Sequence, residues 1–469
     1  MLRDTLSPFV GVTPVPPGYR VQITGRGCRT SRWWTAPEAT QPLETGGAAL
    51  HEALNQAVAG RIGRASGPVS VQLSGGLDST TLAFLARSTC PLLITTAGRS
   101  AIDDDLAWAR RAAGLLKGST HRVIPADEAP LFFADLNAPQ SAMDEPASFA
   151  AGHARQRYTA RLLRGCGTVA HLNGQGGDEV LLAPLTYLRP AIRAVPRTGW
   201  RHLRGHAALK DTSSWAMALA VSRNHTSFAA WLRSTVDKLR IEAPAAVAAT
   251  GWEAPPLLPP WATDEAAELV RAAILTAEPT TVSDDPVTHA AVVRIRASAY
   301  RAALYREAMQ IDGVPTAMPF FDRRVMEACL SVLPWERTDP WCPKPLLRAA
   351  FSDVVPAAVL SRRTKGEYNA DIHHGWSIHR RQVAELLDGS RLVEHGLIDP
   401  VTLRAALSAF GPSGLPPAWI TDLIAVETWL RDLASPFTAH QEAINAAITA
   451  ASPPPPRDQA RPYRGDRAR

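Results

Sequence analysis

Ser74-Gly75-Gly76-Leu77-Asp78-Ser79-Thr80 gathers residue types that suit a bound anion. Two glycines let the backbone close around an oxyanion, and the free N–H groups of a helix start point at it. Ser74, Ser79 and Thr80 add hydroxyl donors. Asp78 is out of place for direct phosphate contact, because two negative groups repel; a Mg²⁺ ion between them makes sense of it. The stretch lacks the Gly-Lys-Ser/Thr ending of a Walker loop. As plain structure, the same residues also serve as a Gly-rich turn that caps a helix. Asn173-Gly174-Gln175-Gly176-Gly177-Asp178-Glu179 is a second Gly-rich, acidic loop; it too reads either as a site or as a solvated turn.

The elements that must position these loops follow from periodicity. Val69 to Leu73 is a short apolar strand before the first loop, and Thr80 to Ser88 reads as a helix after it. Pro91 to Thr96 and Thr120 to Pro125 are further strands, with a helix from Asp104 to Leu116 between them. Helix 148–165 and strand Thr168 to Leu172 continue the alternation up to the second loop. Strands alternating with helices mean a parallel sheet covered on both faces, so the expected class is α/β. Open sheets of this kind bind ligands at the carboxyl edge, which is where both loops fall. Leu50, Leu54, Val58 and Ile62 give a helix within 46–64. Before it, Tyr19 to Ile23 and Arg29 to Trp34 read as a hairpin, which needs a larger body to pack on. After about residue 190 the pattern is mostly helical, to about residue 435.

Composition removes other classes. The net charge is +6, and half of it lies in Arg457–Arg469, beyond Pro453-Pro454-Pro455-Pro456, in a tail expected to be disordered. The high pI is therefore no argument for a nucleic-acid surface. No apolar run approaches ~18 residues, so no membrane span is expected, and the start has no signal peptide. Cys28, Cys90, Cys166, Cys329 and Cys342 form no CxxC pair, which suits a reduced cytoplasmic chain without a zinc site. Cys90 and Cys166 read as core residues and His121 as structural, while Asp103 to Asp105 form a charge cluster at a helix start.

The chain resembles the adenine nucleotide alpha hydrolases of the asparagine synthetase type, whose pyrophosphate loop reads SGGxDS. Besides that loop, the similar segments are Asp103 to Arg110 with Gly118 to His121, Asp144-Glu145-Pro146, Leu172 to Glu179, Pro319-Phe320-Phe321-Asp322, Lys344 to Arg348 and Leu360 to Gly366. They run in the family's order across about residues 9 to 375. The resemblance implies ATP and Mg²⁺ as cofactors. It implies Ser74, Gly75, Gly76, Asp78, Ser79, Thr80 and Gly174 around ATP and its pyrophosphate, with Asp78 and Asp178 as metal ligands. It places Lys365, otherwise a lysine in a basic segment, at the α-phosphate. A substrate carboxylate would attack the α-phosphorus and expel pyrophosphate, and an amine would then displace AMP from the acyl-adenylate.

The resemblance also divides the chain into 1–48, similar only to the last stretch of a glutaminase-like domain, a synthetase domain over 49–450, and the Pro/Arg-rich tail 451–469. A glutaminase route needs a terminal Cys, but Leu2 follows Met1, so the amine is expected to come from the substrate. In the family, glutamine-dependent asparagine synthetases place Glu, and β-lactam synthetases Tyr, where Gln175 stands. With Gln175 as a substrate contact, the segments 173–180, 189–204 and 362–366 look most like lasso peptide cyclases, which close a macrolactam in a precursor peptide. That reading implies a precursor peptide, a leader peptidase and a leader-binding protein as partners. A synthetase using free ammonia, a β-lactam synthetase and a non-catalytic partner-binding protein are the alternatives.

Overall fold

The computed structural model describes residues 6–100, 102–138, 143–223, 226–277, 279–364, 366, 368–409 and 418–434. Lys365, Glu367 and the tail from residue 435, with the segment 451–469, lie outside the described residues.

A five-stranded parallel sheet forms the centre, built from β3 (Val69–Gln72), β4 (Leu92–Thr96), β5 (Thr120–Ile124), β6 (Ala170–Leu172) and β7 (Thr316–Ala317). The order β5-β4-β3-β6-β7 reverses direction at β3. The chain lays β4 and β5 on one side of β3, then returns to lay β6 and β7 on the other. A crevice opens at such a reversal, at the carboxyl ends of the strands. Val69 pairs with Ala170 and Val71 with Leu172, so the loops after β3 and β6 start side by side.

Helices α1 (Leu43–Ile62), α2 (Leu77–Leu85), α3 (Asp105–Leu115) and α4 (His153–Gly165) belong to this α/β layer. The largest core joins Leu50, Leu54 and Val58 of α1 to Val71, Leu93 and Leu172 of the sheet and to Phe320, Leu346 and Phe351. Removing these apolar side chains from water is the main stabilising term. From Leu188 to Leu433 the described chain is helical apart from β7, with separate cores around Trp261 and Trp376, Tyr187 and Leu203, and Phe228 and Trp252.

Several boundaries differ from the sequence reading. Helix α2 begins at Leu77, three residues earlier than expected, because extended Gly76 (ψ 157°) serves as its N-cap. Asp78 and Ser79 therefore sit in the first helical turn. The expected helix 148–165 is a 3₁₀ turn, Ala150–Gly152, followed by α4. Strand β7 is too short to leave a pattern of its own.

The N-terminal strands β1 (Tyr19–Thr24) and β2 (Gly27–Arg32) do form an antiparallel hairpin. Its strands are exposed on both faces, and its base is tied to the body. Arg32 Nη2 donates to Val282 O at 2.8 Å, Arg296 Nη2 to Pro17 O at 2.7 Å, and Trp34 Nε1 to Glu327 Oε1 at 2.9 Å. Cys90 and Cys166 are not core residues: Cys90 is exposed with φ 45°, and Cys166 is half-buried at the end of α4. His121 is structural, its Nε2 lying 2.8 Å from Thr95 Oγ1 across the β4–β5 pair.

Candidate active site

The first loop is drawn closed by its own serines. Ser79 Oγ accepts from Ser74 N at 3.1 Å, lies 3.0 Å from Ser74 Oγ and donates to Gly76 O at 3.1 Å. Gly75 adopts φ 80°, and a Cβ there would come within 2.3 Å of Asp105 O. Both facts require glycine. Ser74, Gly76, Asp78 and Ser79 reach the wall of a cavity of about 820 Å³. Thr80 is fully buried, and its backbone N–H is bonded to Gly76 O.

The second loop leads from β6 into a five-residue helix, α5 (Gly177–Leu181). Asn173 Oδ1 accepts from Gln175 N at 2.9 Å, and Gly176 turns the chain with φ 96°. The loops interlock at two glycines. A Cβ on Gly174 would sit 3.0 Å from Ser79 N, and one on Gly177 would sit 2.2 Å from Asp78 Cγ. Asn173, Gly174, Gln175, Asp178 and Glu179 line the same cavity.

Asp78 and Asp178 converge on one cation, Lys344. Its Nζ lies 2.8 Å from Asp178 Oδ1 and is in direct contact with Asp78 Oδ2. Burial disfavours its charge, but the two carboxylates outweigh burial and hold the ammonium pKa above its ordinary value. Lys344 also has φ 54°, ahead of Pro345 and the helix Pro345–Phe351. Holding a non-glycine residue there costs on the order of 1 kcal/mol. Lys344 opens the family-like segment Lys344 to Arg348, where nothing local gives it a role; its position directly before a helix-starting proline is the one signal the sequence offers.

The Asp103–Asp105 run does start a helix, and it also anchors the segment that runs from Leu360 to Thr364. Arg362, with its side chain almost fully buried, bonds Asp104 Oδ1 at 2.6 Å and Asp105 Oδ1 at 2.5 Å. Thr364 Oγ1 donates to Asp104 Oδ2 at 2.5 Å. Burial raises the Asp105 pKa against the pull of Arg362. For Asp104, burial is outweighed by bonds from Thr364, Trp108 and Arg362, and its pKa falls. Arg362, Arg363, Thr364 and Gly366 line the cavity, on either side of position 365. Phe132, Phe149, Arg155 and Tyr305 also line the cavity, with Arg155 stacked 4.7 Å over Phe132.

Two carboxylates meeting at one cationic position, beside a loop with helix-start N–H groups, are hard oxygen donors suited to Mg²⁺ and a polyphosphate. The arrangement lies at the switch point of a parallel sheet, where open α/β sheets bind their ligands. The chain belongs to the asparagine synthase family, which it matches over residues 49–431. No curated protein matches the sequence. The family's chemistry is ATP-dependent amide-bond formation of the ligase or amidotransferase type, and its enzymes use ATP, usually with Mg²⁺.

Proposed function

We propose that this protein adenylates a carboxylate of a precursor peptide and closes it into a macrolactam by amide formation with the peptide's own amine. The observation that carries the site assignment is the convergence of Asp78 and Asp178 on one cation, between interlocked loops on a shared cavity wall. Asp78 and Asp178 would hold Mg²⁺, which when bound neutralises charge on the pyrophosphate leaving group. Ser74, Gly75, Gly76, Ser79, Thr80 and Gly174 shape the phosphate cradle, through backbone N–H groups and the packing behind them. Thr80 contributes from the buried side, because its side chain is fully buried and does not reach the cavity wall. Lys344 stands ready to exchange its carboxylate partners for phosphate oxygens. Lys365 is assigned to charge growing at the α-phosphorus, next to cavity-lining Thr364 and Gly366.

The substrate carboxylate attacks the α-phosphorus, and pyrophosphate leaves. The amine then attacks the acyl carbon, AMP leaves with the bonding electron pair, and the amine loses a proton. Positioning both reactants supplies most of the acceleration. Gln175, where related enzymes of other specificity place Glu or Tyr, is assigned to the substrate side. The aromatic wall of Phe132, Phe149 and Tyr305 is suited to a peptide. We assign residues 1–48 to a glutaminase-like remnant, 49–450 to the synthetase domain and 451–469 to a tail. A leader peptidase and a leader-binding protein would be cytoplasmic companions. Among the described residues, no helix is long and apolar enough to cross a membrane.

The test is incubation with ATP, Mg²⁺ and a leaderless candidate peptide encoded beside this gene. The expected result is peptide lighter by one water, protease-resistant threading, and AMP with pyrophosphate as coproducts. Asparagine from aspartate and ammonia would overturn the peptide reading. Asp78→Ala and Lys365→Ala are each expected to abolish product, and near-wild-type turnover in either would show the site to be misplaced.

A further inference from the structure

Helix α5 is too short to satisfy its own backbone. A helix leaves its last four carbonyls without intrahelical partners, and α5 has only five residues. Two guanidiniums meet that need. Arg294, from the helix Pro286–Ile311, points a single nitrogen at three carbonyls: Nη2 lies 3.2 Å from Asp178 O and 3.0 Å from Glu179 O, and contacts Leu182 O. Arg337, only 2 % exposed, donates through Nη1 to Val180 O and Cys329 O, both at 3.1 Å. Four carbonyls between residues 178 and 182 thus end on positive charge, half-buried at Arg294 and buried at Arg337. That is the favourable polarity for a helix C-terminus. Arg294 also lines the nucleotide cavity, and its charge is felt by Asp178 and Glu179.

We infer that Arg294 and Arg337 form a clamp that fixes α5 and thereby sets the position of the Asp178 carboxylate opposite Asp78. They are positioning residues. The inference rests on the reading of Asp178 as part of the cation site. It explains why one buried and one half-buried arginine, both distant in sequence, converge on one turn of helix, which a solvated loop would not need.

Two readouts on the full chain test it. The first is hydrogen exchange of the 177–182 amides, which is independent of any ligand. Arg294→Met is expected to speed that exchange while cooperative unfolding is retained. Arg294→Lys is expected to restore much of the protection, because one ammonium offers three donors to three carbonyls. The second is binding of ATP as Mg²⁺ is titrated. Arg294→Met is expected to raise the Mg²⁺ requirement roughly 10- to 100-fold, with partial rescue in Arg294→Lys. If Arg294→Met does not fold, Arg294→Gln and Arg337→Lys carry the same comparison. Unchanged exchange at 177–182 in a folded variant overturns the clamp. Faster exchange with an unchanged Mg²⁺ requirement overturns its link to Asp178. Failure of the wild type to bind ATP with Mg²⁺ sinks the functional reading, and the exchange measurement still judges the clamp.

Discussion

Gly177→Ala separates the fit of the two loops from the fold that carries them. Gly177 opens α5 with no left-handed φ, so alanine suits its backbone. By helix propensity the change is neutral to favourable, by at most about 1 kcal/mol. The added Cβ, however, would stand 2.2 Å from Asp78 Cγ and 2.3 Å from its Oδ2, where ordinary contact begins near 3.4 Å. What it meets is the end of a side chain, so Asp78 yields and the backbone stays. The carboxylate must retreat by roughly 1 Å, and a misplacement of that size costs on the order of 100-fold in rate. The variant is expected to unfold at or slightly above the wild-type temperature, to bind ATP with a raised Mg²⁺ requirement, and to lose most ATP–pyrophosphate exchange. Thermal unfolding, calorimetric titration and the exchange assay report these separately. A variant of wild-type stability and undiminished exchange would refute the claim that Asp78 acts from the observed position. A variant that fails to fold would refute the claim that only the side chain yields.

Three further outcomes are expected. Lys344→Met removes the ammonium that lies against both Asp78 and Asp178, so its melting temperature should become more sensitive to Mg²⁺ against EDTA; a response no larger than the wild type's counts against the shared cation position. Arg362→Met removes the buried guanidinium shared by Asp104 and Asp105, leaving Asp104 its bonds from Thr364 and Trp108; with both carboxylates partly exposed the expected loss is about 1–3 kcal/mol, and an unchanged urea midpoint would count against it. His171 and His206 are held near pKa 4, chiefly by burial. Both lie below the unfolded value, so the unfolded chain takes up protons first, and stability is complete above about pH 6.5 and lost as pH falls toward 4. Each histidine contributes up to roughly 3 kcal/mol of this loss, and a urea midpoint that stays flat from pH 7 to 5 would exclude it. His206 shares Tyr187 OH with His202, at 2.8 and 2.9 Å, so a His206→Gln variant should blunt the pH dependence.

Local order fixed the loops and their strands. The apolar runs before Ser74 and Asn173, and glycines where side chains would collide, mark both turns in the one-dimensional chain. Period and turn chemistry act over a few residues, so they are legible there. The α/β class followed from the same signals. Packing decided the rest. Nothing local says that β6 lies against β3 rather than beyond β5, yet that order makes the crevice. Lys344 meets Asp78 across 266 positions, and Arg362 meets Asp104 across 258. Arg294 reaches the carbonyls of α5 from more than a hundred residues away. Those partners are chosen by which charges and orphan carbonyls the fold buries together, and burying them unpaired would cost more than the fold could bear. The two loops and the residues proposed to work in them are readable along the chain, whereas the lysine and arginines that meet those loops emerge only from how the chain packs.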